Sequence, residues 1–382
     1  MKNLYIYLFP LVMDIIISGV LFISVYRFSE AKVEGWIVGA TMAVWAVIYS
    51  LISWLCGYIV NKDNAHKVVL SSCIGISLVA AGFLVFDGLY TQFLWLILTG
   101  CCGAFFFAPF QIYLKRFIPG NAGIIRTTAL YTGAWSLGFS LGPLAFRLLS
   151  QQNAFIFFIV CGVAMVLGLI AVEKFAKSPE EISVAAYDGN VKNIYEGLPD
   201  LVWVGYLVSG VGCLTISLVR TMGPFRGVAL LNFTKDEMSM IMFIVSLLQS
   251  LTGLLMIFSK KWMYKKIPGL LLNGAGILAL LGFGFCNSYI GFVISAVFFG
   301  IYAGCFYFFF VFHSLVHPTK SAKYIAGNET IVGVSGVVSP VLAGLLVTPA
   351  SSGWSFFTGA ILVIAAMVGQ QIMLARHKNI SI

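Results

Sequence analysis

Apolar runs about 20 residues long follow one another along almost the whole 382-residue chain. A bilayer's hydrocarbon core is roughly 30 Å thick, which about 20 helical residues span. Inside it no water is available to the backbone, so each run must satisfy its own N–H and C=O groups. Runs of this kind leave membrane-spanning helices as the available fold. Twelve are read, at 4–26, 36–60, 67–86, 93–114, 125–149, 153–175, 200–220, 238–258, 268–286, 289–313, 325–348 and 354–375. Composition agrees. Charged residues make up 10% of the chain and the mean hydropathy is +0.98, whereas soluble domains carry about 25% charged residues.

Charge placement gives the expected sidedness. With the N-terminus in the cytoplasm, 17 of the 23 Lys and Arg residues fall on the cytoplasmic side and 6 outside, as the positive-inside rule requires. Both termini are then cytoplasmic, and the expected location is the cytoplasmic (inner) membrane of a prokaryote. The start MKNLYIYLFPLV lacks a small-residue cleavage pattern, so the first run reads as a retained helix. The net charge of +9 is scattered rather than clustered, so no nucleic-acid partner is read. Eight cysteines lie in or beside apolar runs without a C-x-x-C pair, which reads as buried thiols rather than a metal site.

The longest polar stretch, 176–199, divides the chain into an N-terminal bundle (1–175), a cytoplasmic linker (176–199) and a C-terminal bundle (200–382). The halves echo each other. GAFFFAPFQIY (103–113) in span four matches GCFYFFFVFHS (304–314) in span ten. Arg126 precedes Pro143 by the same distance as Lys323 precedes Pro340. Two six-helix repeats are a common transporter plan.

The stretch GAWSLGFSLGP (133–143) holds Gly133, Gly138, Gly142 and Pro143 in one span. In water this is a poor helix. In lipid, a G-x-x-x-G pair such as Gly138 and Gly142 lets two backbones approach, and Pro143 loosens the helix beside it. These residues, with Gly57 and Pro340, are read as packing and gating positions.

The region GNAGIIRTTALYTGAWSLGFSLGPLAF (120–146) resembles the fifth helix of the major facilitator superfamily, most closely its exporting, antiporter-like members. AGNETIVGVSGVVSPVLAGLL (326–346) resembles the second-half counterpart, with Ser339 replacing the Gly before Pro340. GYIVNKDNAHKVVL (57–70) resembles the loop after helix two. There Gly57, Lys62 and Lys67 fit, and Asn61 stands where an acid is usual. The resemblance implies an all-α membrane protein of twelve helices in two pseudo-symmetric six-helix bundles. It also implies that spans three, six, nine and twelve face lipid and that spans one, four, seven and ten line a central cavity. The implied activity is secondary transport by alternating access, in the exporting mode.

A charge at membrane depth is costly and therefore a candidate functional group. Asp14 sits about ten residues into span one, with Tyr7 and Ser18 on the same helical face. There it is the expected proton carrier, with Glu329 in span eleven as the second candidate. Tyr49, Gln111, Trp135, Gln249, Tyr302 and Tyr307 are polar or aromatic groups in apolar spans, and are read with Tyr7 and Ser18 as substrate-cavity residues. Arg220 and Arg226 are placed at the outer end of span seven, with an anionic group as an alternative partner. Arg126 and Arg147 read as anchors at the two ends of span five. His313 and His317 have i, i+4 spacing but no further ligand nearby, so no metal site is read. No phosphate-binding G-x-x-x-x-G-K-[ST] loop occurs, and no cofactor is expected.

The function read from the sequence is therefore proton-coupled export of small amphipathic molecules by a monomer in the lipid bilayer. The alternative within transport is uptake of a sugar, organic anion or siderophore-like nutrient. The alternatives of another class are a transporter-like receptor or scaffold and a membrane-embedded transferase. The transferase reading has too few clustered nucleophiles or bases to support it, and the chain is not read as an enzyme.

Overall fold

The computed structural model describes residues 4–61, 63–114, 124–175, 201–258, 265–316, 321–347 and 353–375. The linker 176–199, Lys62 and His317 lie outside this set, as do the side chains of Arg126, Lys323 and Glu329.

Twelve long helices form among the described residues. A short 3-10 turn (Leu4–Tyr7) leads into α1 (Leu8–Glu30), followed by α2 (Gly35–Ile59), α3 (Ala65–Val85), α4 (Gln92–Leu114), α5 (Ile124–Leu148) and α6 (Gln151–Phe175). The second set is α7 (Val202–Pro224), α8 (Lys235–Leu255), α9 (Lys266–Phe285), α10 (Tyr289–Val316), α11 (Ser321–Leu346) and α12 (Trp354–Ala375). Local chemistry sets several ends. Thr234 and Glu237 cap each other's backbone amides and start α8. At the end of α2, Asn61 accepts from the backbone amides of Asp63 and Asn64. That places a self-capped turn where the family resemblance implies an acidic residue.

The helices divide by packing. α1 packs on α5, α6 and α4; α2 packs on α4; and α3 packs on α4 and α6. Every one of these pairs recurs six helices later, as α7 on α11, α12 and α10, α8 on α10, and α9 on α10 and α12. The repeat extends to the far side, defined here as the side where α1 ends. Lys32 after α1 and Asn232 after α7 both adopt left-handed backbone, with φ of 53° and 58°. Tyr90 and Phe93 meet Phe28 in one half, and Tyr289 and Phe292 meet Phe233 in the other.

Two seams join the halves, α2 against α11 and α5 against α8. Glycine makes the first a backbone contact. A Cβ on Gly39 would lie 2.3 Å from the Pro340 carbonyl oxygen, and one on Gly344 would lie 2.4 Å from that of Gly35. In the second, Gly133 packs on Leu254 and its carbonyl accepts a hydrogen bond from Ser250 at 2.8 Å.

Ten of the helical stretches are long and apolar enough to cross a membrane. α5 and α11 each lie in one of the seams between the halves. α3, α6, α9 and α12 have only 28–39% of their most apolar stretch buried, against 83% for the stretch that includes α1. This is the pattern of peripheral helices around inner ones.

The helix of span seven runs further than its apolar pattern suggests. α7 passes through Pro224 into one π-helical turn, Phe225–Leu230. Arg220 is thereby ten residues short of the helical end, roughly 15 Å along the axis, instead of at its terminus.

Candidate functional site

One polar cluster bridges the two halves. Asp14 of α1 is 4% exposed, and its Oδ2 is buried with no hydrogen-bond partner. It interacts electrostatically with Arg220 of α7 and Tyr307 of α10, without an ion-pair contact to Arg220. The Arg220 guanidinium lies 3.7 Å from the centre of the Phe139 ring of α5, a cation–π arrangement that stabilises a charge withdrawn from water. One Nη of Arg220 donates to Gln249 Oε1 of α8 at 3.4 Å, while its buried Nε has no partner. Gln249 is fully buried and its Nε2 donates to Ser136 Oγ of α5 at 2.7 Å. Trp135 meets the Tyr307 ring edge-on at 5.1 Å.

The backbone explains why these side chains meet. Thr132, Ser136 and Phe139 are spaced i, i+4 and i+7 on α5, so they share one face. That face meets α7 and α8, while Gly138 and Gly142 occupy another face, against α1. A Cβ on Gly138 would lie 2.0 Å from the Leu11 carbonyl oxygen, and one on Gly142 would lie 2.5 Å from that of Ile15. The glycines draw α1 against α5, and this close packing brings Asp14 to the margin of the inter-half contact. Pro143 follows one residue later within the same continuous helix.

The other sequence-selected residues fall elsewhere. Ser18 packs on the Gly142 position of α5 and its hydroxyl donates back to the Ile15 carbonyl at 3.4 Å. It thus lies in the contact between α1 and α5 within the first half, unlike the expected cavity-facing stripe. Tyr7 belongs to the 3-10 turn before α1 and is half-buried. Tyr49 stacks on Trp45 at 5.2 Å and packs on Gly103 of α4. Gln111 donates to the Tyr131 hydroxyl at 3.5 Å within the first half. Tyr302 packs on Gly276 of α9 and lines a small pocket, about 30 Å³, inside the second half with Asn273 and Gln370. Among the described residues, no atom lies within 4 Å of a Cβ placed on Gly57. Pro340 lies in the α2–α11 seam.

The two arginines of span seven have different settings. Arg226 is 4% exposed and donates to the carbonyls of Phe283 and Cys286, both at 2.7 Å, and to Asn287 Oδ1 at 2.8 Å. It caps the end of α9. Arg27 does the same in the first half, donating to the Asp87 carbonyl at 2.9 Å and pairing with its carboxylate at 3.6 Å. The positions are repeat-related, about 200 residues apart, and in both halves the arginine straps the first helix to the end of the third. Asp14 and Arg220 have no such counterpart. The positions about 200 residues away are apolar or a thiol, namely Cys213 and Leu214 for Asp14, and Val20 and Leu21 for Arg220.

Residues 138–142, GFSLG, also spell the G-x-S-x-G pattern of hydrolase nucleophiles. That chemistry needs a strand-to-helix turn, whereas these residues lie inside a continuous helix and Ser140 donates to the Leu137 carbonyl. Among the described residues no cluster of His, Cys, Asp and Glu is arranged to hold a metal.

Solved structures of similar architecture include several transporters. A bacterial homologue of the human lysosomal transporter Spinster, in an inward-facing and occupied conformation, is 13% identical over 98% of this chain and 96% of its own, with a TM-score of 0.66. The nucleoside transporter NupG is 15% identical over 97% and 99%, with a TM-score of 0.64. The human organic anion transporter MFSD10 is 13% identical over 96% and 98%, with a TM-score of 0.64. No curated protein matches the sequence. The family model of the Major Facilitator Superfamily matches residues 4–319. With that match, twelve helices in two repeated sets and a polar cluster between them, the chain belongs to the Major Facilitator Superfamily.

Proposed function

We propose that this transporter is a proton-coupled carrier of small, partly apolar molecules, working by alternating access about the cluster of Asp14, Ser136, Arg220, Gln249 and Tyr307. The observation that carries the reading is Asp14: a buried carboxylate whose Oδ2 is unpartnered, between two helix sets, in the field of a cation it does not touch. Such a group binds and releases a proton as its access to water changes, and a proton there alters the balance of charge that holds the halves together. The aromatic groups Trp135, Phe139 and Tyr307 suit a substrate with a planar or apolar body. Glu329 stands as the second candidate proton carrier. The proposed units are 1–175 and 200–382, joined by 176–199, in a monomer of the inner membrane with both termini cytoplasmic.

The direction that the sequence resemblance favours is export. Arg220 favours a second reading, uptake of an organic anion, because the cation lies in the inter-half contact rather than at the membrane surface. Proteoliposomes with an imposed pH gradient test coupling and direction together. Asp14→Asn is expected to retain counterflow exchange but lose gradient-driven accumulation. Full gradient-driven transport by Asp14→Asn refutes the coupling assignment.

A further inference from the structure

Arg220 and Asp14 present complementary gaps. Arg220 has a buried Nε without an acceptor, and its one hydrogen bond to a side chain, to Gln249, is long at 3.4 Å. Asp14 has a buried Oδ2 without a donor. Each feels the other's field, yet they are not in ion-pair contact. A guanidinium holds a carboxylate best through two parallel N–H donors. Here Nε is free, and Asp14 is placed to share the cation's field without occupying it. Phe139 covers the guanidinium face, so an acceptor approaches in its plane. Tyr307 shares the field of the guanidinium, and Trp135 meets its ring edge-on.

We infer that the central site takes a small monocarboxylate with a planar apolar body, its carboxylate held between the Arg220 guanidinium and a protonated Asp14. The inference rests on the second reading above, uptake of an organic anion, because a proton bound together with the substrate crosses with it, and it names the substrate class of that site. The reasoning is one of charge. With Asp14 ionised, the empty site holds one anion and one cation that offset each other. A substrate carboxylate adds a second anion beside the same guanidinium, and two ionised carboxylates sharing one cation in a dry site are strongly disfavoured. A proton taken up from solution on Asp14 restores neutrality. It also supplies an O–H that donates to the substrate carboxylate. No covalent bond changes, and one proton is bound for each carboxylate. The titratable groups that share the electrostatics of this pair are Tyr307 of α10 and Cys213 of α7.

The test is calorimetry on the full-length protein in lipid nanodiscs at pH 7, in phosphate and in Tris, whose ionisation heats differ. The probes are benzoate, phenylacetate and indole-3-acetate, each against its carboxamide. At least one carboxylate is expected to bind about tenfold or more tighter than its amide, with uptake of about one proton per molecule bound. Asp14→Asn is expected to bind the same carboxylate with no proton uptake. Arg220→Gln is expected to lose the preference for carboxylate over amide. Arg220→Lys, which keeps the charge and loses the planar fork, is expected to retain only part of it. Thermal unfolding of each variant shows that it is folded. Equal binding of acid and amide, binding by the parent without proton uptake, or no binding by any of the three acids overturns the inference. The transport reading fails separately, through full pH-driven transport by Asp14→Asn. It survives failure of the inference if an uncharged amphiphile shows Asp14-dependent, gradient-driven flux.

Discussion

Replacing Gly138 by alanine tests whether glycine is what lets α1 and α5 meet. The added Cβ would lie 2.0 Å from the Leu11 carbonyl oxygen and 2.8 Å from its carbon. Both are backbone atoms, so no side chain can swing aside. Ordinary contact starts at 3.4 Å, which requires the helices to part by ~1.4 Å if neither bends. Overpacking of this kind costs about 1–3 kcal/mol, and a rigid backbone neighbour places this site at the upper end. Alanine's better helix propensity returns up to ~1 kcal/mol, for a net loss of about 2 kcal/mol. Gly57→Ala is the matched control, because among the described residues a Cβ there meets nothing within 4 Å and only the propensity gain remains. The assay is thermal unfolding in detergent, followed by intrinsic tryptophan fluorescence. Gly138→Ala is expected to unfold several degrees below the parent and Gly57→Ala at or above it. If Gly138→Ala unfolds with or above Gly57→Ala, the account of this contact is wrong.

Three further expectations follow from other contacts. Arg226→Lys loses the planar fork that serves two carbonyls and Asn287, and is expected to lower stability by about 2–3 kcal/mol while leaving the substrate preference of the folded fraction unchanged; melting and ligand-binding curves on the same sample separate the two. Gly39→Ala pushes on the Pro340 carbonyl across the α2–α11 seam, so counterflow exchange is expected to slow markedly while bound-substrate affinity holds; unchanged exchange kinetics would count against a seam that takes part in cycling. Gln249→Leu removes the bond to Ser136 and the acceptor for Arg220. It leaves two buried polar groups unpaired, at about 1–3 kcal/mol each, and is expected to lower transport more than Gln111→Leu, whose partner Tyr131 lies within one half.

Much of the architecture was legible in the sequence because bilayer thickness fixes helix length, and so the spacing of the apolar runs. Asp14 was legible because a charge at mid-membrane has few innocent explanations. Arg220 was misplaced for a definite reason. The hydropathy of span seven falls off at Arg220, but the helix continues through Gly223 and Pro224 to a π-helical turn. Arg220 therefore lies within the helix rather than at its end. The roles of Ser18 and Tyr302 were hidden because helical periodicity reports which residues share a face, not which neighbour that face meets. Gly35 and Gly39 form a G-x-x-x-G pair in the sequence, but nothing in α2 alone announces α11 as its partner. The equivalence of Arg27 and Arg226 was also present in the numbering, but its meaning needed the carbonyls of Asp87 and Phe283 to appear beside them.

Main chain lies against main chain where α2 crosses α11. Where Gly39 meets Pro340 and Gly35 meets Gly344 no side chain intervenes, so sliding at those points neither freezes nor frees side-chain torsions. The halves can then roll over one another as smooth cylinders do, with the point of touch travelling along the axis. The energy that decides which way they lean is left to the few charges in the middle.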